Sequence, residues 1–388
     1  MSASPASRPP VVLFYVQHLL GIGHVFRATR VGRELARAGA EVHMVWGGTR
    51  LPSIDTQGLE MHFLEPVRVA DAGFQDLVDA DGNPVSDAMK HRRREALLAL
   101  FEDLQPDIVI TEAYPFGRRQ MRFELEPLMK ATRAAPRHVF TVASIRDIMQ
   151  EGRAEKRVKE SVDAAKAWFD LVVVHGDPNL IRIEETLQGA EAILDKVRYG
   201  GLVTPPPPDL SVPPAIATDV VVSTGGGAFG HTLTQAALEA MPLSRHFPDN
   251  WLLIAGSERA EADFLALKQT APAGMRVERF VPDLARILAS ASVSVSMAGY
   301  NTVGDLLRVK RPAVLVAHTG GRETEQLRRA RIMAGKGLAV MLTDAELTPQ
   351  AIADAVDRAV DLPPARTGFD LDGAAHAAAI ILSEYSKR

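Results

Sequence analysis

Short apolar, β-branched runs alternate with helical stretches along almost the whole chain. In the first half the runs are Val11–Val16, Glu41–Val45, Asp107–Ile110, His138–Val142 and Leu171–Val174. In the second half they are Asp219–Ser223, Trp251–Ile254, Arg276–Phe280, Val293–Ser296 and Ala313–Val316. Such runs with amphipathic helices between them predict parallel sheets covered on both faces. After the first run, Val25, Ala28, Val31, Leu35 and Ala38 share one helical face, and Gly39 stops the helix. The alanine-rich tail Asp372–Ser386 also has helical composition. The pattern breaks at Thr204-Pro205-Pro206-Pro207-Pro208-Asp209, with Pro213-Pro214 just beyond. Consecutive prolines favour an extended spacer, so the expected domains are residues 1–204 and 209–388, with the last helix able to pack back on the first.

One phosphate-cradle pattern occurs in both halves. Val11–Val16 leads into Gly21-Ile22-Gly23-His24, and Asp219–Ser223 leads into Thr224-Gly225-Gly226-Gly227, each before a helix. Glycines at a strand-to-helix turn let backbone N–H groups approach an anion, and the helix N-terminus adds about half a positive charge. Two such turns predict an α/β fold of two Rossmann-like domains facing a central cleft. A dinucleotide reader needs a third glycine where Phe26 stands, and an acidic residue where Trp46-Gly47-Gly48-Thr49-Arg50 closes the second strand. Neither turn continues into the Gly-Lys-Ser/Thr of a P-loop.

Composition narrows the classes further. At 388 residues the chain exceeds the usual size of one domain, and a net charge of −4 offers no field for nucleic acid. Cysteine is absent, which removes disulfides and thiolate metal sites. The N-terminus lacks the apolar core of a signal peptide, and no run approaches the roughly 20 apolar residues of a membrane span. The expectation is a soluble, cytoplasmic protein, with peripheral contact at the inner face of the membrane left open.

Two later segments concentrate polar groups at strand ends. Ser296-Met297-Ala298-Gly299-Tyr300-Asn301-Thr302-Val303-Gly304-Asp305 follows a strand and opens a helix. There Asn301 or Thr302 is expected to cap the helix, with N–H groups left for a diphosphate and Asp305 for a ribose. An ordinary capped helix with an acidic first turn is the alternative. Downstream, His318-Thr319-Gly320-Gly321-Arg322-Glu323-Thr324-Glu325-Gln326 reads as a binding loop, and Arg328, Arg329 and Arg331 as a solvated helix face.

These segments resemble the C-terminal half of GT-B glycosyltransferases, in particular the family of the N-acetylglucosaminyltransferase that makes lipid II. In that family a Gly-x-x-Thr-x-x-Glu stretch opens the helix under the donor diphosphate; Gly299, Thr302 and Asp305 match it, with Asp in place of Glu. Glu325-Gln326 match the pair that contacts the donor sugar. Gly225-Gly226-Gly227 match the family's second glycine loop, and Gly21-Ile22-Gly23-His24 its first, which ends in a histidine before a helix. The stretch Thr111 to Glu124 is similar to that of an uncharacterised branch of predicted glycosyltransferases. The resemblance implies an inverting, metal-independent transfer that uses no cofactor beyond a nucleotide-sugar co-substrate, commonly UDP-linked. It also implies that the acceptor docks mainly on the first domain and the donor on the second.

Such a transfer needs a base for the acceptor hydroxyl and dipoles for the departing diphosphate. His24, beside the glycine turn, and Glu112, after a strand, are the two candidate bases; a phosphate-positioning or cap role is open to His24, and a loop or cap role to Glu112. No metal ligands are read from the chain: of the Asp-x-Asp pairs, Asp79-Ala80-Asp81 precedes a Gly82-Asn83-Pro84 turn, and the other is Asp370-Leu371-Asp372. Arg118, with Arg119 and Arg122, and Arg146 are candidates for an anionic or lipid-linked acceptor, against solvated or ion-paired roles. His91-Arg92-Arg93-Arg94 reads as a solvated helix face that also suits an anionic membrane surface. Two alternative functions share the fold: a non-hydrolysing sugar-nucleotide 2-epimerase, which needs several carboxylates around one sugar, and a non-catalytic nucleotide-sugar binder.

Overall fold

The computed structural model describes residues 8–19, 23–51, 54–69, 76–224, 230–256, 259–320, 324–363 and 368–388. The chain forms two compact units, one comprising Met1–Met149, Arg153–Val203 and Asp372–Arg388, the other Gln150–Gly152 and Thr204–Leu371. The second unit therefore starts at Thr204 rather than 209 and ends at Leu371 rather than at the C-terminus.

The first unit runs β1 (Val11–Val16), α1 (Gly23–Arg37), β2 (Glu41–Trp46), β3 (Glu60–Phe63), β4 (Arg68–Val69), β5 (Leu77–Val78), α2 (Asp87–Leu104), β6 (Ile108–Glu112), α3 (Arg122–Ala134), β7 (Phe140–Arg146), α4 (Glu155–Trp168), β8 (Leu171–His175) and β9 (Val197–Tyr199). Seven of these strands make one sheet in the order β3-β2-β1-β6-β7-β8-β9, and β4 and β5 form a small antiparallel ribbon. Every pairing in the large sheet is parallel. Alternation along β1 sorts its side chains into two layers. Val12, Phe14 and Val16 pack with Val25, Ala28, Val31 and Leu35 of α1. Leu13 and Tyr15 pack with Leu97 and Phe101 of α2 and Leu125 and Leu128 of α3.

The second unit runs β10 (Val220–Ser223), α5 (His231–Ala240), β11 (Trp251–Ile254), α6 (Glu261–Thr270), β12 (Met275–Glu278), α7 (Leu284–Ser290), β13 (Val293–Met297), α8 (Tyr300–Val309), β14 (Ala313–Ala317), α9 (Glu325–Gly335), β15 (Val340–Thr343) and α10 (Pro349–Val360). Its six parallel strands follow the order β12-β11-β10-β13-β14-β15. The final helix, α11 (Gly373–Ser386), lies in the first unit. There Ala377, Ala378 and Ile381 bury against α1, and the Gly373 amide donates to the Leu202 carbonyl at 3.1 Å. A β-carbon on Gly373 would sit 2.3 Å from the Gly201 carbonyl oxygen, so this approach requires glycine. Among the described residues no helix is long and apolar enough to cross a membrane.

The basic run on α2 is not wholly solvated, which corrects the sequence expectation. Arg92 is exposed and pairs with Glu65, but Arg93 is fully buried. Its guanidinium donates to both Glu124 oxygens, at 2.9 and 2.7 Å, and to the Gly47 carbonyl at 3.0 Å. Tyr15 also donates to Glu124, at 2.5 Å, and burial followed by the Glu124 charge raises its pKa well above the ordinary value. This network ties α2 and α3 to the central strand. A buried charge stripped of its partner is far costlier than an exposed one. Arg93→Ala is expected to lower unfolding free energy by about 3–5 kcal/mol and Arg92→Ala by at most about 1 kcal/mol, measured by urea denaturation.

Candidate active site

Strand order reverses beside the first strand of each sheet, between β1 and β6 and between β10 and β13. Open α/β sheets bind ligands off the carboxyl ends of their strands at such switch points.

In the first unit the carboxyl ends of β6, β7 and β8 carry Glu112, Ser144 and His175. Parallel register sets Glu112 opposite Ser144, and Arg146 opposite His175. Ser144 Oγ lies 2.6 Å from Glu112 Oε2 and 2.8 Å from His175 Nε2. From the first turn of α1, His24 Nδ1 reaches Glu112 Oε1 at 3.0 Å, and one turn on Arg27 pairs with the same carboxylate. Glu112 and His175 are fully buried, while the His24 side chain keeps 19% exposure. The structure thus brings the two candidate bases together, with the carboxylate behind the imidazole.

Proton positions follow from donor and acceptor logic. His24 Nδ1 lies 3.0 Å from Glu112 Oε1, an acceptor, and 3.0 Å from Arg27 Nη2, a donor. Because Arg27 already donates to Glu112, the His24 proton is assigned to Nδ1, donated to the carboxylate, with the lone pair on Nε2. Ser144 donates to Glu112 and accepts from His175 Nε2–H. Burial, then the nearby Arg118 charge, pushes His24 down to about 3. Burial, then Arg27, pushes His175 down to about 3. Burial alone would raise the Glu112 pKa; Arg27 and the His24 hydrogen bond outweigh it and hold the carboxyl well below the carboxylate range.

Arginines surround this centre. Arg118, in a left-handed conformation (φ 57°), donates from Nε to the Gln17 carbonyl at 2.6 Å. Burial lowers its pKa to about 10, Arg146 and Arg27 acting in the same direction, and it stays charged at neutral pH. Arg153 donates to the Phe116 carbonyl, and its pKa is lowered by burial and then by Arg146. Arg119 and Arg122, by contrast, pair with Glu160. The glycines closing β2 serve packing: a β-carbon on Gly47 would lie 2.0 Å from Gln17 Oε1, and one on Gly48 would lie 2.4 Å from His18 Cε1. Gly23 opens α1, whereas Gly21, Gly225, Gly226 and Gly227 lie outside the described residues.

In the second unit, neither Asn301 nor Thr302 caps α8, contrary to expectation. Gly299 is the N-cap, without a side-chain cap, and Tyr300, Asn301 and Thr302 form the first turn. Their backbone N–H groups are those a helix cannot satisfy internally. Asn301 Oδ1 is buried with no hydrogen-bond partner among the described residues. Asp305 stands half-buried one turn further on. Glu325, at the start of α9, is buried and pairs with Arg329 at 2.8 Å. Arg329 is also buried: it donates to the Ala298 carbonyl at 3.1 Å and lies 5.7 Å from the centre of the Tyr300 ring. It is a support for the strand-to-helix turn rather than part of a solvated face, and Glu325 is its counter-ion. Gln326 follows, half-buried. Asp344 accepts from the Thr319 amide at 3.1 Å and lies 2.5 Å from His318 Nδ1, bracing the β14 end.

Sequence reasoning missed Arg27, Ser144, His175 and Arg329. Two signals were available: the His24-x-x-Arg27 spacing on one helical face, and polar residues closing apolar runs that were extended one or two residues too short.

The pKa directions set an acid limit on stability. Both histidines have folded-state values below the unfolded value of about 6.5, so the unfolded chain binds more protons between about pH 6.5 and 3. Stability is therefore complete above that window and falls as pH drops through it, by up to about 1.4 kcal/mol per pH unit for each histidine. Glu112, with its depressed value, removes more as pH falls below about 4.3. Urea unfolding from pH 7.5 to 4.5 should show this decline, and His175→Gln should flatten it.

Residues 220–367 match the model of the glycosyltransferase family 28 C-terminal domain. An uncharacterized glycosyltransferase of Methanopyrus kandleri is 29% identical over 170 residues, 43% of this chain and 46% of that protein. A UDP-N-acetylglucosamine–N-acetylmuramyl-(pentapeptide) pyrophosphoryl-undecaprenol N-acetylglucosamine transferase of Bacillus cereus is 22% identical over 86% of both chains. Other relatives of the same name are matched over 39% and 51% of their length, so the chain spans about half or less of several of its curated relatives. Among solved structures, the calicheamicin glycosyltransferase CalG4 aligns with 98% of this chain and 96% of its own, at TM-score 0.62 and 16% identity. Acinetobacter baumannii MurG aligns with 97% of this chain and 100% of its own, at TM-score 0.61 and 16% identity. The chain has the GT-B fold, and its second unit carries a family 28-like C-terminal glycosyltransferase domain.

Proposed function

We propose that the protein transfers a sugar from a nucleotide-diphosphate sugar to an acceptor hydroxyl, with inversion and without a metal ion. One observation carries the reading: the α8 N-terminus, uncapped by any side chain, stands at the switch point of the second sheet, inside the segment that matches the family 28 domain.

In this reading the first-turn N–H groups of α8 receive the diphosphate, together with the Gly225-Gly226-Gly227 sequence. Asp305 takes ribose hydroxyls, and Gln326, next to the buried Glu325, meets the sugar. Fixed dipoles at a helix start stabilise the charge that grows on the departing diphosphate. His24 Nε2 accepts the acceptor proton as the hydroxyl oxygen bonds to the anomeric carbon and the bond to the diphosphate breaks. Glu112 stays ionised, holds the ring in its Nδ1–H tautomer and stabilises the imidazolium that forms. It is a positioning residue, since its oxygens already serve Arg27, His24 and Ser144.

The donor base is proposed to be uridine, the nucleoside in the names of the lipid-linked relatives. The Arg118, Arg146 and Arg153 cluster favours an anionic acceptor, phosphate-bearing or lipid-linked, reached in the cytoplasm or at the inner membrane face. An epimerase would need carboxylates around its sugar, and Glu112 and Glu325 are each committed to a buried arginine.

Thermal shift against UDP, GDP, dTDP, their sugars, NAD and ATP tests the donor, each read against a matched EDTA baseline. A shift with UDP and one UDP-sugar, unchanged by EDTA, is expected; a shift with NAD alone would overturn the proposal. His24→Ala should lower kcat by about 10²–10⁴-fold with donor affinity kept. Thr302→Glu, which suits a helix first turn on its own, should keep the melting temperature while its charge repels the diphosphate and weakens UDP binding about tenfold or more.

A further inference from the structure

We infer that the first unit holds a separate divalent metal site of the zinc class, made by His43, Glu60 and His62. Two Glu-x-His tripeptides lie on adjacent parallel strands, Glu41-Val42-His43 on β2 and Glu60-Met61-His62 on β3. Alternation puts each Glu and its His on one face of the sheet. Register then sets His43 opposite Glu60, and His62 opposite Val45, so the three side chains converge diagonally.

The donor atoms are close enough to share one ion. His43 Nδ1 lies 3.0 Å from His62 Nε2 and 3.5 Å from Glu60 Oε2, and His62 Nε2 lies 3.8 Å from Glu60 Oε1. Ligands at about 2.0–2.2 Å around a tetrahedral zinc stand about 3.3–3.6 Å apart, which these separations bracket. Two imidazoles and a carboxylate suit zinc, nickel or copper better than magnesium or calcium.

A supporting residue is already in place. Glu41 Oε1 lies 3.0 Å from His43 Nε2, so Nε2–H donates to that carboxylate and Nδ1 carries the lone pair toward the cluster. His43 is 2% exposed, so packing holds its ring in that orientation. In the metal-free state the short imidazole contact is an N–H···N bond from His62 Nε2 to His43 Nδ1. On binding, the ion takes the place of that proton and His62 moves its N–H to Nδ1. No net proton is released, Glu60 supplies the charge, and water fills the fourth position.

The site stands apart from the proposed base. His43 precedes the carboxyl end of β2 by three residues, about 10 Å along the strand, whereas His24 and Glu112 sit at the strand ends. β3 is an edge strand with half-exposed side chains and a single neighbour. A bound ion would fasten that edge to the sheet.

The test uses the full chain without an affinity tag, stripped by chelator and titrated with Zn²⁺ against a chromophoric competitor. Co²⁺ replaces Zn²⁺ for a visible absorption readout of ligand geometry. One equivalent of zinc and a tetrahedral cobalt spectrum are expected. Glu60→Gln and His62→Phe should each weaken binding at least tenfold, while Glu41→Gln weakens it less and keeps the stoichiometry. Cooperative melting at the wild-type temperature in chelator certifies that each variant is folded, and the exposed Glu60→Gln decides if His62→Phe is not. No stoichiometric zinc in the wild type, or undiminished affinity in folded Glu60→Gln, would overturn the inference and leave a hydrogen-bonded histidine pair.

Discussion

A carboxylate buried at the end of β6, that of Glu112, is the constraint on which the first unit depends. Charge in a low-dielectric interior is tolerated only when paired and hydrogen-bonded, and Glu112 has Arg27, His24 and Ser144 for that purpose. Those partners come from α1 and β7, and His175 of β8 joins through Ser144. The charge therefore fixes where α1 starts relative to three strands. Because α11 packs on α1, the C-terminal segment is bound to the same frame. The interaction that orients the proposed base is also one that the fold needs.

The second unit uses the same device at a different place. Glu325 and Arg329 form a buried pair one helical turn apart, and the arginine reaches across to the Ala298 carbonyl and the Tyr300 ring. An ion pair on α9 thereby braces the turn from which α8 springs. In both units the groups proposed to meet substrate sit in front of a buried pair that meets only protein. Rigid support of this kind is what preorganised dipoles and bases require.

Much of the architecture was legible from periodicity. Strands buried on both faces carry a strong apolar signal, and the proline run marked the change of unit. The edge strands β3, β9 and β15 were not read, because short half-exposed strands show neither a long apolar run nor clean alternation. His24 and Glu112 were each visible as polar residues at strand-to-helix turns. Their contact was not, since it spans 88 residues and depends on strand order. Arg93 and Arg329 were misread for a related reason: an arginine on a helix looks solvated until its partner is known, and that of Arg93 is 31 residues away. The capping assignment for α8 failed because Gly299, in extended conformation two residues past the end of β13, starts the helix with no polar side chain needed.

The central claim is that His24 is neutral, held so by burial and Arg118, and that Glu112 fixes its proton on Nδ1 and its lone pair on Nε2. Long-range ¹H–¹⁵N correlation spectra of histidine-labelled protein, assigned with His24→Gln, measure this directly. The account predicts a neutral Nδ1–H imidazole at pH 7 that persists to about pH 4, since burial and Arg118 push its pKa to about 3. A His24 that is already cationic near pH 6, or neutral with its proton on Nε2, would contradict it.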